Sequence, residues 1–466
     1  MNGQDPNPIE ELARAMPAGM LQIGNDIPER HLHDWMVAAA PGNALALARP
    51  RNTGEVSALL QSCHRLHLPV VPQGGLTGLA GGAVPVPGCI LLSLERMNGI
   101  EEIDSASSTA TVLAGTPLEA VQQAAWDAGL FFPLDLGARG TCTIGGNLST
   151  NAGGNRVLRY GMARDLVLGI EAVLADGAVV GNLNKMLKNN AAYDLKQLFI
   201  GSEGTLGVIT RAVLRLHPQP RSTCTALCAV ADYDGVLALL RHVRAGLAST
   251  LSAFEVMWPD FYRVVTGGVP GLATPLPHGH GAYVLVESMG ADPARDQEHF
   301  EQVLGEALEA GMVADAVIAQ SGDEARSLWR VRDASGEFRR VFWPHTGFDV
   351  SVPAGQIGAF IQDCRDRLGR RWPGMETVFF GHVGDANIHI GVRVGAGEQP
   401  TGEVEEIVYR CVGDWHGSIS AEHGIGTLKR EHLHLSRSDG ERAMMRMLKR
   451  ALDPQGILNP GKVFAE

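Results

Sequence analysis

The run that ends at Pro85, VVPQGGLTGLAGGAVP, constrains this chain more than any other segment. It carries five glycines (Gly74, Gly75, Gly78, Gly81 and Gly82) among small and apolar residues. Glycine lacks a Cβ, so such a backbone leaves its amide N–H groups uncovered and can come close to a phosphate. Pro69 and Pro72 lead the chain in, and apolar strand-like runs bracket it. A flexible linker would instead be polar and rich in serine. The segment therefore reads as a rigid cradle for an anionic cofactor. Two further glycine-dense segments follow, one spanning 137–154 and one reading GSEGTLG from Gly201 to Gly207. Neither GxGxxG nor GxxxxGK[ST] occurs, so the dinucleotide and nucleotide-triphosphate loops are excluded. Several separated cradles suit a long cofactor lying extended through one domain.

The chain has 466 residues, enough for two or three domains. Its net charge of −12 and the lack of a basic run interleaved with aromatics argue against nucleic-acid binding. The seven cysteines (63, 89, 142, 224, 228, 364 and 411) form no CxxC pair, which fits a reducing compartment and supplies no iron–sulfur ligand set. The N-terminal MNGQDPNPIEELARAMP is acidic and has no apolar h-region, and no run reaches about 18 apolar residues. The expectation is a cytoplasmic protein without a transmembrane segment, peripheral membrane association being left open.

From Ala46 onward, β-rich and helical patterns alternate. TGEVSALLQSCHRLHL predicts a helix with Thr53 as N-cap. Pro117 opens a second helix that Gly129 ends, and Asp176-Gly177 predicts a hairpin. Pro218-Gln219-Pro220 marks a boundary. Beyond it the pattern predicts helices near 234–248, 294–311, 323–341, 354–370 and 402–416. Strands are expected at 282–288, 316–320 and 347–353, with a hairpin near 376–394. The tail LDPQGILNPGK carries turn signals. The fold class is α+β.

The segments PQGGLTGLAGGAVP, PLDLGARGTCTIGGNLSTNAGGNRVLRYG and LFIGSEGTLGVIT resemble the vanillyl-alcohol-oxidase-type (PCMH-type) FAD-binding domain. GHVGDANIHI, ISAEHGIGTLKR and LDPQGILNPGK narrow the resemblance to the FAD-dependent D-2-hydroxy acid dehydrogenases. It runs from about residue 35 to the end. It implies an N-terminal segment 1–40, an FAD domain 41–220, a substrate or cap domain 221–418, and a C-terminal segment 419–466 returning to the FAD domain. The first loop (Pro72, Gly74, Gly75, Thr77, Gly78, Gly81, Gly82) would receive the FAD pyrophosphate through its amides. The second region would line the middle of the cofactor and its flavin ring. There the implied contacts are Pro133, Gly137, Thr143, Ile144, Gly145, Gly146, Thr150, Asn151, Gly153 and Gly154, followed by Arg156, Tyr160 and Gly161. Glu203, Gly204, Gly207 and Ile209 would lie at the adenine–ribose end, and Asn459 and Lys462 would return to the flavin. No histidine occurs in 69–87, and Leu76 stands where relatives often carry Asn, so non-covalent FAD is expected.

FFGHV-GDAN-IHIGV reads as two strands around a four-residue turn. If Val383 pairs with Ile388, His382 lies opposite His389, with Cβ atoms about 4.5–5.5 Å apart. Two imidazoles so placed chelate a divalent metal; the alternative is a pair of hydrogen-bonded core histidines. The resemblance favours the metal, with Glu422 as third ligand. Zinc is the first choice, and manganese or iron are compatible with the same donors. The resemblance also makes His423 the base for the substrate hydroxyl. Strand neighbours point to opposite faces, so Glu422 and His423 share a site only in a turn, which Gly424 and Gly426 permit. Arg332, whose guanidinium fork matches a carboxylate, is the expected substrate clamp. The alternative is a solvated helix charge beside Arg326, Arg330, Arg339 and Arg340.

The reaction implied is oxidation of a small D-2-hydroxy acid to the 2-oxo acid, the hydride passing from Cα to flavin N5. The electron acceptor would be a quinone, an electron-transfer flavoprotein or a cytochrome, and the chain a possible homodimer. Relatives acting on D-2-hydroxyglutarate typically carry Lys, Thr and Asn where this chain has Gly347, Gly336 and Gly391. A second substrate carboxylate would lose its partners, and burying it unpaired is costly. The expectation is a monocarboxylic substrate; Trp343, His345 and Phe348 either line a more apolar pocket or are plain core packing. The alternatives are D-2-hydroxyglutarate itself, or an FAD-binding subunit without its own turnover.

Overall fold

The computed structural model of the protein describes residues 7–37, 39 and 43–464. The chain forms two compact units, one of Met1–Gly153, Met162–Gln219 and Glu422–Glu466, the other of Gly154–Gly161 and Pro220–Ala421. The segment read as 1–40 thus belongs with the first unit, and residues 154–161, read as part of the FAD domain, belong with the second.

The first unit holds two principal sheets. One has four strands in the order Leu21–Ile23, Ala44–Ala48, Cys89–Ser93 and Val70–Gln73, the last three parallel. Parallel strands need a crossover, and Thr53–Leu66 supplies it. Its cap is Asn52, one residue before the predicted Thr53; the Asn52 side chain accepts from Glu55 N at 2.9 Å. The strand Cys89–Ser93 is buried at every residue, as expected for a strand covered on both faces. The second sheet is antiparallel, with five strands in the order Ile100–Asp104, Thr109–Leu113, Val208–Arg215, Val167–Val173 and Val179–Asn182. The predicted Asp176-Gly177 turn joins the last two. The chain end returns to the first sheet: Val70 N donates to Ile457 O at 2.7 Å, and Asn459 N to Val70 O at 2.8 Å. The helix Asp439–Leu452 was not foreseen, although Ser438 and Glu441 form a complete capping box at its start.

The second unit is a seven-stranded antiparallel sheet. Its order is Asp315–Ile318, Ser222–Val230, Ala282–Gly290, Leu251–Met257, Glu376–Gly381, Asn387–Arg393 and Thr346–Ser351. The helices Pro259–Gly268 and Gly322–Asp333 cover one face through Phe261, Tyr262, Leu328 and Val331, which pack on Leu227, Met257, Tyr283 and Phe380. Phe348 points to the other face, against Tyr409 of Thr401–Asp414 at 5.3 Å, so it is core and does not line a pocket with Trp343. His345 packs instead among Phe338, Phe342 and Trp343, and burial lowers its pKa.

Candidate functional site

The glycine segments meet around one cavity of about 410 Å³ in the first unit. From the first loop its wall takes Pro72, Gly74, Gly75, Thr77, Gly78 and Gly82. From the second region it takes Gly137, Thr143, Gly145, Gly146, Thr150 and Gly153. Glu203, Gly204, Gly207 and Ile209 follow, then Glu422, His423 and Asn459. Close approach explains Gly75: a Cβ there would collide with Thr141 O, so the two loops touch backbone to backbone. The first loop is also held from the N-terminal side. Asp34 accepts from Met36 N and Val37 N through one oxygen and from Gly81 N through the other, each at 2.8 Å.

Other residues singled out from the sequence lie away from this wall. Gly81 is spent on the Asp34 contact. Pro133 and Ile144 are buried in the fold. Asn151 accepts from Arg164 N at 2.9 Å. Lys462 donates to Val84 O at 2.9 Å, and burial lowers its pKa to about 8. Gly154, Arg156, Tyr160 and Gly161 belong to the second unit, where Arg156 Nε lies 3.6 Å from Glu287 and Tyr160 sits under Arg159.

Glu422 and His423 lie in an irregular turn, as the glycines after them require, with Gly424 at φ +80° and Gly426 at φ +51°. A Cβ on Gly426 would strike Ala80 O, and Thr427 N donates to that same carbonyl at 2.9 Å. The turn is therefore laid directly on the first glycine loop. Glu203, read as an adenine–ribose contact, has its carboxylate on this turn: Oε1 accepts from Ile425 N at 2.7 Å and Oε2 from Gly426 N at 2.8 Å.

The cavity fits a phosphate-bearing cofactor. Glycine backbone lines it, and the buried Thr143 Oγ1 and Asn459 Oδ1 have no hydrogen-bond partner within the protein. Asn459 Nδ2 is occupied, donating to Gly82 O and Glu203 O.

In the second unit the register of the 376–393 hairpin differs from the expected one. Phe380, not His382, lies opposite His389, and Asn387 N donates to His382 O at 3.2 Å. The turn is thus shifted by one residue, and the histidines are diagonal neighbours. Because side chains alternate with period two, both still share a face. Their ring centroids are 5.5 Å apart.

Each imidazole is backed by a carboxylate that the sequence reading did not single out. His382 Nδ1 is 2.5 Å from Glu255 Oε1, and His389 Nδ1 is 3.9 Å from Asp349 Oδ1. Arg332, in the last turn of Gly322–Asp333, donates from Nε to Glu255 Oε2 at 2.7 Å and from Nη2 to His382 Nε2 at 2.9 Å. It is buried, which removes the solvated-helix-charge reading. Arginine has no acceptor, so His382 Nε2 carries a lone pair and the ring proton sits on Nδ1, toward Glu255. Burial pushes the Glu255 carboxyl up, but the Arg332 charge and the hydrogen bonds from Arg332 and His382 outweigh it and hold the pKa below the usual carboxylate range. Asn387 Nδ2 holds Asp349 at 2.9 Å. A carboxylate at Nδ1 makes Nε2 the coordinating nitrogen of a metal-bound histidine; here His382 Nε2 accepts from Arg332.

Residues 219–463 match the family described as FAD linked oxidases, C-terminal domain, and residues 44–181 match an FAD binding domain. The chain is 39% identical over 432 residues to an Arabidopsis thaliana protein named D-2-hydroxyglutarate dehydrogenase, mitochondrial, covering 92% of this chain and 77% of that protein. It is also 39% identical to the D-2-hydroxyglutarate dehydrogenase of Xanthomonas citri pv. viticola, over 98% of this chain and 96% of the relative. Among solved structures, p-cresol methylhydroxylase with substrate bound superposes with a TM-score of 0.80 at 14% identity, over 98% of this chain and 96% of that one, a likeness of fold.

Proposed function

The chain belongs to the FAD-linked oxidase family, and we propose that it oxidises a D-2-hydroxy acid to the 2-oxo acid with FAD held non-covalently. One observation carries the reading: the candidate base His423 and the neighbouring Glu422 stand in the wall of the same cavity as the glycine loops. When bound, FAD supplies the acceptor for the hydride equivalent leaving the substrate Cα.

The residues of the chain do the rest. The amides of the 74–82 loop, with Thr143 and Asn459, hold the cofactor. His423 takes the hydroxyl proton, since an imidazole is a competent base near neutral pH. Arg332, oriented by Glu255, is the cation assigned to the substrate carboxylate. His382 and His389 are proposed as ligands of a divalent ion, zinc first, because each ring has a carboxylate at Nδ1; at His382 the ion would take the place of Arg332 Nη2 as the partner of Nε2. The third ligand, Glu422, is proposed on the sequence resemblance. Such an ion would lower the pKa of the substrate hydroxyl.

For the substrate we favour a monocarboxylic acid. At Gly391 a Cβ would lie 2.8 Å from Val378 Cγ2 and 3.2 Å from the Phe342 ring, so a polar anchor does not fit there without repacking. The second reading is D-2-hydroxyglutarate, favoured by the names of the relatives above. Anaerobic flavin bleaching across D-lactate, longer D-2-hydroxy monoacids and D-2-hydroxyglutarate separates them. A kcat/KM for D-2-hydroxyglutarate well above those of the monoacids would overturn the first reading.

No described helix is long and apolar enough to cross a membrane. A cytoplasmic location, a quinone, electron-transfer flavoprotein or cytochrome as acceptor, and a homodimer complete the proposal.

A further inference from the structure

Glu203 sits where its backbone favours glycine. Its φ is +53°, and the glycines around it, Gly201 and Gly204, lie at +83° and +71°. A side chain at this position is strained, so its presence asks for a use. Each carboxylate oxygen has one: Oε1 takes Ile425 N and Oε2 takes Gly426 N. Gly424 lies so close that a Cβ there would be 2.9 Å from Oε1.

The backbone of Glu203 is anchored in turn. Its N donates to Ser149 O at 2.8 Å, in the second glycine segment, and its O accepts from Asn459 Nδ2 at 2.7 Å, in the chain end. One residue thus ties the turn after His423 to two walls of the cofactor cavity. We propose that Glu203 is a positioning residue, whose carboxylate fixes the 424–426 turn and thereby sets His423 in the cavity. The role assigned to His423 rests on the dehydrogenase reading above; the holding of the turn does not.

Two variants test this in the FAD-loaded protein. Glu203→Gly removes the carboxylate and relieves the strained φ, so the fold is not penalised by its backbone. Glu203→Gln keeps one acceptor and turns an NH₂ toward the second amide. Hydrogen–deuterium exchange of peptides covering 422–428 should rise at least tenfold at Ile425 and Gly426 in Glu203→Gly, and at one of the two in Glu203→Gln. The anaerobic rate of flavin reduction per bound FAD should fall at least tenfold in Glu203→Gly, with the affinity for the 2-oxo acid product within threefold of wild type. Unchanged exchange would overturn the proposal. So would raised exchange with flavin reduction within twofold of wild type. If no D-2-hydroxy acid reduces the wild-type flavin, the dehydrogenase reading fails, and the exchange measurement alone decides whether Glu203 holds the turn.

Discussion

Replacing Glu255 by glutamine should destabilise the second unit by about 3 kcal/mol, the low end of the range for breaking a buried ion pair from one side. Glu255 is buried, and its two oxygens accept from Arg332 Nε and from the Nδ1–H of His382. Glutamine offers one oxygen and one NH₂. If the oxygen serves Arg332, the NH₂ faces the His382 Nδ1 proton. Moving that proton to Nε2 sets it against Arg332 Nη2 instead, 2.9 Å away. Every arrangement leaves one buried donor unmatched, and Arg332 loses its buried counter-charge. The pKa of Glu255 points the same way, held below its ordinary 4.5 by Arg332 and His382. The sign follows from the folded value lying below the unfolded one. The contribution is complete above pH 4.5 and disappears as pH falls below it. The assay is urea unfolding of wild type and Glu255→Gln, followed by circular dichroism from pH 7 to pH 3. The midpoint difference should be constant from pH 7 to about 5 and shrink below. A difference under 1 kcal/mol at pH 7, or one that does not change with acid, would refute the argument.

Other consequences are as direct. His423→Ala should retain FAD and divalent metal while losing most of kcat, about a hundredfold or more by the usual worth of a positioned base; near-normal turnover removes it from the mechanism. Acid precipitation should leave the yellow colour in the supernatant, and a yellow pellet would mean a covalent bond. Gly75→Ala places a methyl against Thr141 O, so the purified protein should lose FAD, read as the 450 nm to 280 nm absorbance ratio. Lys462 has a folded pKa of about 8 against 10.5 unfolded, so its burial costs stability below pH 8, and the cost is relieved as pH rises to 10.5. Relative to Lys462→Met, wild-type apoprotein should therefore gain about 3 kcal/mol across that window; a flat difference in unfolding free energy would show the ammonium to be well compensated.

Much of the fold was legible because its punctuation is local. Asp176-Gly177, Pro117 with Gly129, and the apolar β-rich run AYVLVES at 282–288 each specify an element within a few residues. The hairpin register was not, since nothing between Gly381 and Ile388 fixes at which residue the four-residue turn begins. The histidines still share a face because a one-residue shift of the turn moves the pairing by two. The glycine loops were legible in part because, at Gly75 and Gly145, backbone passes where a Cβ would not fit. What sequence spacing hid is the supporting carboxylates. Asp34, Glu203, Glu255 and Asp349 act on groups far along the chain. A signal existed for two of them: Glu255 in LSAFEVM and Asp349 in TGFDVS are single charges in otherwise apolar or small strands, and a buried charge needs a partner. Nor does a resemblance say which neighbour takes a charge: Lys462 donates to Val84 O and Arg156 lies beside Glu287.

The proposed dehydrogenase activity requires the acid's Cα hydrogen to reach the flavin. Anaerobic stopped-flow with a D-2-hydroxy acid, its L-enantiomer and the D-acid deuterated at C2 measures this directly. The prediction is full bleaching of the flavin by the D-acid, slowed severalfold by deuterium, and none by the L-acid at equal concentration. Bleaching by both enantiomers alike, or by neither, would contradict it.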